Sequence, residues 1–223
     1  MGQVMYEEGG WALEIRSFKR LPSTQKRLIE DLKAKIVHPP IAYYTHDQYA
    51  GVGSRGNEWI GDRGNLFFSF ALALDMLPLD LPLQSLAIYF SYALKMELQK
   101  RGSKVWLKWP NDFYIGTEKC GGCVTTLVDK VVVCGIGINT STAPQNFAKL
   151  DIDVDHLELL GGYFELLDRK ISWKEIFSNF RIEFQKSKRF SVHIGTQRVS
   201  LANAELADDG ALQIGQERVY SVR

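Results

Sequence analysis

Apolar positions in this chain recur either every second residue or every third to fourth, and the two periods divide it into strands and helices. Residues 105–109 alternate so that Lys108 and Trp106 share one strand face while Val105, Leu107 and Trp109 share the other. Pro110 stops the pairing and Asn111-Asp112 turns the chain; 113–115, 120–128 and 131–138 read as three more strands joined by turns at 116–119 and 129–130. Residues 11–18 alternate more weakly and predict a first strand. Ser23 or Thr24 then caps a helix carried by Leu28, Ile29, Leu32 and Ile36 until His38-Pro39-Pro40 ends it. Residues 41–48 read as the second strand. Residues 66–74 are apolar on both faces and predict a central strand, and 81–101 a long apolar helix between Pro82 and Gly102. Residues 143–158 read as irregular and 171–184 as an amphipathic helix. From about Phe190 short β segments follow at 191–194, 198–202, 205–206, 211–214 and 217–222, with a turn at Asp208-Asp209-Gly210. The pattern predicts an α+β fold: a main domain over 1–188 and a small barrel-like β domain over 189–223, too short to stand alone.

The totals narrow the function. Across 223 residues, 27 basic and 26 acidic side chains leave a net charge of +1, which points to neither nucleic acid nor a membrane surface as partner. Three cysteines, an odd number, suit a reducing compartment, and no signal pattern or bilayer-length apolar run is present; the expectation is a cytoplasmic protein.

Candidate chemistry sits in two stretches. Residues 50–65 hold five glycines between Gly51 and Gly64, interleaved with Arg55, Trp59 and Arg63, which suits a loop whose amides and arginines close over a phosphate-bearing ligand. Gly51-x-Gly53-x-x-Gly56 matches the dinucleotide fingerprint formally, but a strand follows where a helix is required, so that reading fails. Residues 108–139 combine a lysine at a strand end with two glycine-bearing strands, a place for an anionic ligand pressed against a sheet. Cys120-Gly-Gly-Cys123 lies on a predicted strand without a second ligand pair and reads as structural, the four histidines show no metal spacing, and 151–158 lacks the glycine and terminal glutamate of a calcium loop; no metal ligands are predicted. No nucleophile with an adjacent base and no Walker A loop is present, so substrates would react with each other while the protein positions them and neutralises charge.

The motifs then meet a family. Lys108-Trp109-Pro110-Asn111-Asp112, Lys119-Cys120-Gly121-Gly122, Gly135-Ile136-Gly137-Ile138-Asn139, Ser23-Thr24-Gln25, Gln48-Tyr49-Ala50-Gly51, the 51–59 loop and Gly64-Asn65-Leu66 resemble, in order, the KWPND, K-x-G-G, GIGIN, STN, QTAG, GRGRxGxxW and GNL elements of the catalytic core of biotin protein ligases. The resemblance implies a mixed sheet like that of class II aminoacyl-tRNA synthetases, with packed helices and a C-terminal SH3-like domain. It implies ATP, biotin and Mg²⁺ as the small molecules and the biotin carboxyl carrier domain of a carboxylase as acceptor. Biotin would be activated as biotinyl-5′-AMP and passed to a carrier lysine. By the same resemblance Ser23, Thr24, Gln25, Gln48, Gly51, Val52, Gly53, Ser54, Gly121, Gly122 and Gly135 would surround biotin. Arg55, Gly56, Asn57, Trp59, Asn111, Ile138 and Asn139 would lie near the nucleotide. Lys108 would carry the chemistry between carboxylate and α-phosphate, and Asp112 is a candidate for the base in the second step. Val52 and Ser54 depart from the family, which carries arginine there; the Ser54 departure predicts looser retention of the adenylate, and Gln25 for Asn is milder. The 22 residues before Ser23 are too few for the helix-turn-helix of repressor members, so the expectation is the short form without DNA binding. Analogy alone allows a homodimer, and the sequence does not give the oligomeric state. Two other readings stay open: a lipoate–protein ligase, which shares fold and logic, and a non-catalytic biotin sensor.

Overall fold

The structure, a computed structural model, describes residues 2–6, 10–53, 58–59, 61–194 and 197–220. Eight strands make one mixed sheet: β1 (Gly2–Tyr6), β2 (Leu13–Phe18), β3 (Ile41–Thr45), β6 (Leu66–Ala73), β7 (Trp106–Lys108), β8 (Asp112–Ile115), β9 (Glu118–Val128) and β10 (Val131–Ile138). Their order across the sheet is β1-β2-β3-β6-β10-β9-β8-β7. The β2–β3 pair is parallel, which requires a crossover, and α1 (Thr24–Lys33) supplies it; the other pairs are antiparallel. Between β3 and β6, the short strands β4 (Gly51–Val52) and β5 (Glu58–Trp59) pair as a separate ribbon.

The two faces of the sheet have different fates. One is covered by α2 (Leu86–Lys100), backed by α3 (His156–Asp168) and α4 (Trp173–Glu183), and holds the main core with Phe68, Phe70, Ile136, Ile138 and Phe113. The other is covered by α1 alone, over a small cluster of Leu28, Val37, Ile41, Tyr43, Ala71 and Val133. Along β10 that second face reads Val133, Gly135, Gly137: beyond the end of α1 the side chains stop, and the sheet surface sinks into a hollow.

α2 is apolar on every side because it lies between sheet and helices, so Ala87, Ile88, Tyr89, Phe90, Ala93 and Leu94 are all buried. Ser91, fully buried in the same helix, has a hydroxyl with no hydrogen-bond partner among the described residues. An unpaired buried hydroxyl costs about 1–3 kcal/mol. Ser91→Ala is therefore expected to be neutral or stabilising by up to about 1 kcal/mol, read as an unchanged or raised denaturation midpoint; a clear loss of stability would mean that the hydroxyl is satisfied.

The free edge at β7 is closed by side chains instead of another strand. The Leu107 amide donates to Glu183 Oε2 at 3.4 Å and the Trp109 amide to Ser187 Oγ at 3.1 Å. The C-terminal residues then form two small antiparallel sheets, β11 (Ser191–Ile194) with β12 (Gln197–Ser200), and β13 (Glu205–Leu206) with β14 (Leu212–Ile214) and β15 (Glu217–Val219). Their turn is docked by two indoles: Trp109 Nε1 donates to the Gly210 carbonyl at 2.8 Å and Trp173 Nε1 to that of Asp208 at 2.9 Å. Gly210 sits at φ +76°, and a Cβ there would lie 2.7 Å from Ile88, so glycine is required twice over.

Three features differ from the sequence reading: the β4–β5 ribbon forms inside the stretch read as a loop, and β1 and α3 are new. β1 is not foreseen; it exists by pairing along β2, an edge contact that leaves little periodic signal. α3 begins inside the stretch read as irregular. Asp155 is its cap, accepting from the Leu157 and Glu158 amides at 2.9 Å. Gly161 and Gly162 hide the helix from propensity, and Gly162 is there for packing, since a Cβ would come 2.3 Å from a Glu97 carboxylate oxygen on α2.

Candidate active site

The hollow beyond α1 is a cavity of about 270 Å³, and its lining changes character along β10. At Gly135 it meets α1: a Cβ there would lie 3.2–3.3 Å from Ser69 Oγ and the Gln25 side chain. The Thr24 amide donates to Gln48 Oε1 at 2.9 Å, which fixes that oxygen as the acceptor and leaves the Gln48 NH₂, beside Gly51, as a donor. Thr24 Oγ1 lies 3.3 Å from the same oxygen and 2.8 Å from Ser69 Oγ. Ser23 Oγ accepts from the Lys26 amide as helix cap, and its own hydroxyl hydrogen remains to be donated. This end is an uncharged rack of donors and acceptors.

Two residues further along, Gly137 pairs with Gly122, which pairs with Asp112. Trp59 lies over Gly137, its indole 2.8 Å from where a Cβ would be. Beside it Lys119 Nζ lies 2.5 Å from Asp112 Oδ1, both side chains about a quarter exposed. Asn111 Nδ2 donates to the Cys123 carbonyl and holds the turn before Asp112 against β9. The far wall is Asn139, Pro144 and Phe147. Two buried polar atoms of the lining, Trp59 Nε1 and Asn139 Oδ1, have no partner among the described residues. Each is a donor or acceptor that a ligand would satisfy.

Of the residues named from the sequence, Ser23, Thr24, Gln25, Gln48, Gly53, Trp59, Asn111, Gly122, Gly135 and Asn139 line this cavity. Gly51 is buried beside it, where a Cβ would meet Gln48 Nε2 at 2.5 Å. Gly121 and Ile138 face the opposite side: a Cβ on Gly121 would strike Ile138 and the Gly137 carbonyl, so this glycine serves packing and makes no ligand surface. Ser54, Arg55, Gly56 and Asn57, and the side chain of Val52, lie outside the described residues.

Lys108 is not part of the lining. It pairs with Asp112 on the cavity face, but on the edge strand, two strands or about 10 Å beyond Gly122. Its ammonium lies 5.5 Å from the Tyr114 ring and 5.7 Å from that of Phe190, the first residue of the C-terminal segment, and burial pulls its pKa down. Lys119 is the lysine of the cavity. The sequence reading spends it on a turn, because a bulge between Phe113 and Tyr114 shifts the register and brings Lys119 beside Asp112. Ser69 and Phe147 also line the cavity with no motif to announce them. The three cysteines are buried free thiols; Cys123 Sγ lies 3.4 Å from Cys134 Sγ, not against Cys120, whose pKa burial pushes up to about 12.

A family model described as the biotin/lipoate A/B protein ligase family matches residues 17–140, more than half of the chain and the whole of the cavity's glycine floor. The chain belongs to that family. Its structure superposes on the crystal structure of biotin acetyl coenzyme A carboxylase synthetase from Helicobacter pylori with bound biotinylated ATP. The TM-score is 0.89 and the identity 39%, over 92% of this chain and 98% of that one. It is also 35% identical over 105 residues to the chloroplastic biotin–protein ligase 1 of Arabidopsis thaliana, and 34% over 99 residues to the bifunctional ligase/repressor of Escherichia coli K12. Those alignments take in 43% and 41% of this chain but only 28% and 30% of the relatives, so the chain spans less than a third of either curated protein. In the terms of the family, the STN, QTAG and GIGIN elements converge on one hollow, whereas the KWPND element contributes Asn111 and Asp112 to it and turns its lysine and tryptophan elsewhere.

Proposed function

We propose that the protein is a biotin–protein ligase, making biotinyl-5′-AMP from biotin and ATP and transferring biotin to a lysine of a biotin carboxyl carrier domain. The observation that carries this is one cavity whose lining holds both an uncharged hydrogen-bond rack and an ammonium–carboxylate pair. A ureido ring presents one carbonyl and two N–H groups. Ser23 and Gln48 offer the donors, and the hydroxyls of Thr24 and Ser69 the acceptors. The valerate chain would run over Gly135 and Gly137 and put its carboxylate at Lys119.

Two anions must meet in the first step, the carboxylate and the α-phosphate of ATP. Lys119 would leave Asp112 and stand between them, offsetting charge as the carboxylate oxygen bonds to phosphorus and pyrophosphate departs. Asp112, freed, can accept the proton of the incoming carrier lysine as it attacks the mixed anhydride and releases AMP. Trp59 Nε1 and Asn139 Oδ1, which have no partner among the described residues, would take up an acceptor and a donor of the adenine. Mg²⁺ fits as part of the MgATP substrate: Asp112 is the one carboxylate among the described lining residues, in keeping with an ion held mostly by phosphates and water. The division near residue 189 and a reducing compartment, suited to three free thiols, belong to the same reading. Among the described residues no helix is long and apolar enough to cross a membrane.

The test is carrier labelling. Purified protein with MgATP, a carrier domain and either biotin or lipoate is expected to modify the carrier with biotin. Lipoate-only labelling would move the protein to the sister branch, and tight biotin binding without labelling would leave a sensor.

A further inference from the structure

The wall of the cavity that carries Asn139, Pro144 and Phe147 is held by several hydrogen bonds, among them Ser141 Oγ to the Gly64 carbonyl at 2.8 Å and Thr142 Oγ1 to Asp62 at 3.0 Å, and two side chains meet at Thr140. Asn65 takes the backbone. Its Oδ1 accepts from the amides of Thr140, Ser141 and Thr142 at 2.9, 2.9 and 3.2 Å, and its Nδ2 donates to the Thr142 carbonyl at 3.0 Å. The second side chain is His156, the first residue of α3, which the ligase reading leaves without a task. Its Nε2 lies 2.9 Å from Thr140 Oγ1 and its Nδ1 2.8 Å from the Tyr44 hydroxyl. Thr140 Oγ1 lies 3.3 Å from the Gly64 carbonyl, which can only accept.

These contacts set the direction of every proton. Tyr44 O–H donates to Nδ1, Nε2–H donates to Thr140, and Thr140 O–H donates to Gly64. A neutral imidazole in this chain carries its hydrogen on Nε2. We propose that His156 is a positioning residue, which through Thr140 holds the 139–147 wall where the nucleotide binds. It rests on the ligase reading, in which Asn139 faces the base.

A pH dependence follows. Burial lowers the His156 pKa, His46 adds to the lowering, and Asp155 at the helix cap opposes it. Tyr44 is raised by burial and by Asp155 and stays protonated. Above its pKa His156 is neutral and the wall is held. As pH falls through the depressed value, a proton on Nδ1 turns that nitrogen into a donor toward the Tyr44 oxygen and puts a charge in a half-buried place, which favours the ring swinging out to water and off Thr140. Nucleotide binding therefore weakens at acid pH, while the Ser23–Gln48 end, which has no contact with His156, does not.

The experiment measures KM for ATP and Kd for biotin in the full chain between about pH 5.5 and pH 8. Wild type, His156→Ala, His156→Gln and Thr140→Val are compared. The loss of one hydrogen bond is worth roughly five- to tenfold, so His156→Ala and Thr140→Val should raise the ATP KM by about that factor at the upper pH. Biotin Kd should stay within about twofold. Wild type should show a KM that rises toward acid. His156→Gln, which keeps an N–H for Thr140 and does not titrate, should restore the upper-pH KM and abolish the acid rise. Variants that shift both ligands alike, or that change thermal stability with KM untouched, would overturn the proposal, as would an acid rise that survives in His156→Gln. With an active wild type such results count against His156 alone. A wild type without biotin-dependent turnover overturns the ligase reading and this inference together.

Discussion

Lys119→Ala is expected to lower biotin-dependent adenylate formation by about two to three orders of magnitude, the usual cost of removing one preorganised group from a site of developing charge. The reason is geometric. Lys119 is the one cation among the described lining residues, 2.5 Å from Asp112 and beside Trp59, where carboxylate and α-phosphate would meet. Because no enzyme nucleophile shares the work, the loss should appear in single-turnover adenylate formation, with biotin binding changed far less. Lys108→Ala makes the complementary control. Its ammonium lies 5.5 Å from the Tyr114 ring and 5.7 Å from that of Phe190, at the seam with the C-terminal sheets and outside the cavity lining, so its loss is expected to cost the rate roughly fivefold or less. Rapid-quench measurement of both variants decides between the two lysines; a collapse in Lys108→Ala with Lys119→Ala near wild type would reverse the assignment.

Glu183→Ala is expected to cost about 3–5 kcal/mol of stability, because it strands a buried cation. Lys95 and Glu183 are 7% and 8% exposed and 3.2 Å apart, and the same carboxylate accepts from the Leu107 amide on the sheet edge and pairs with Lys186 at 3.6 Å. For a chain of this size that is a fall in Tm of roughly 10 °C. Replacing both partners with neutral residues, Lys95→Met with Glu183→Gln, should recover most of the loss, since no ion is stranded and the Gln carbonyl can still accept from the Leu107 amide. Calorimetry of the single and double variants measures it. A single variant within about 1 kcal/mol of wild type would show that Lys95 finds water or another partner.

The parts of this fold that were legible are those whose own residues carry the period. β6 is apolar on both faces because both faces are covered, and α2 is apolar all round because it lies between sheet and helices; each declares itself. α3 did not, since Gly162 trades propensity for close approach to Glu97 on α2, a gain that exists only in the packed molecule. The same division runs through the site. Ser23, Thr24 and Gln48 were readable because a helix cap and a resembling motif coincide. Gly121 and Gly122 look alike in the sequence, yet the strand turns one to the core and the other to the cavity. Lys119 lines the cavity and Lys108 does not, for a related reason. Strand parity puts Lys108 on the correct face, but its distance across the sheet depends on strand order, and the approach of Lys119 depends on a bulge. Ser69 had no signal, being one polar residue in an apolar strand whose register with Gly135 alone gives it meaning.

The central claim, one cavity that activates biotin with ATP, is tested most directly by exchange of labelled pyrophosphate into ATP, run with no acid, with biotin and with lipoate. Exchange that requires biotin, absent with lipoate and lost in Lys119→Ala, is the predicted result. Exchange that is independent of biotin, or supported by lipoate alone, would contradict it.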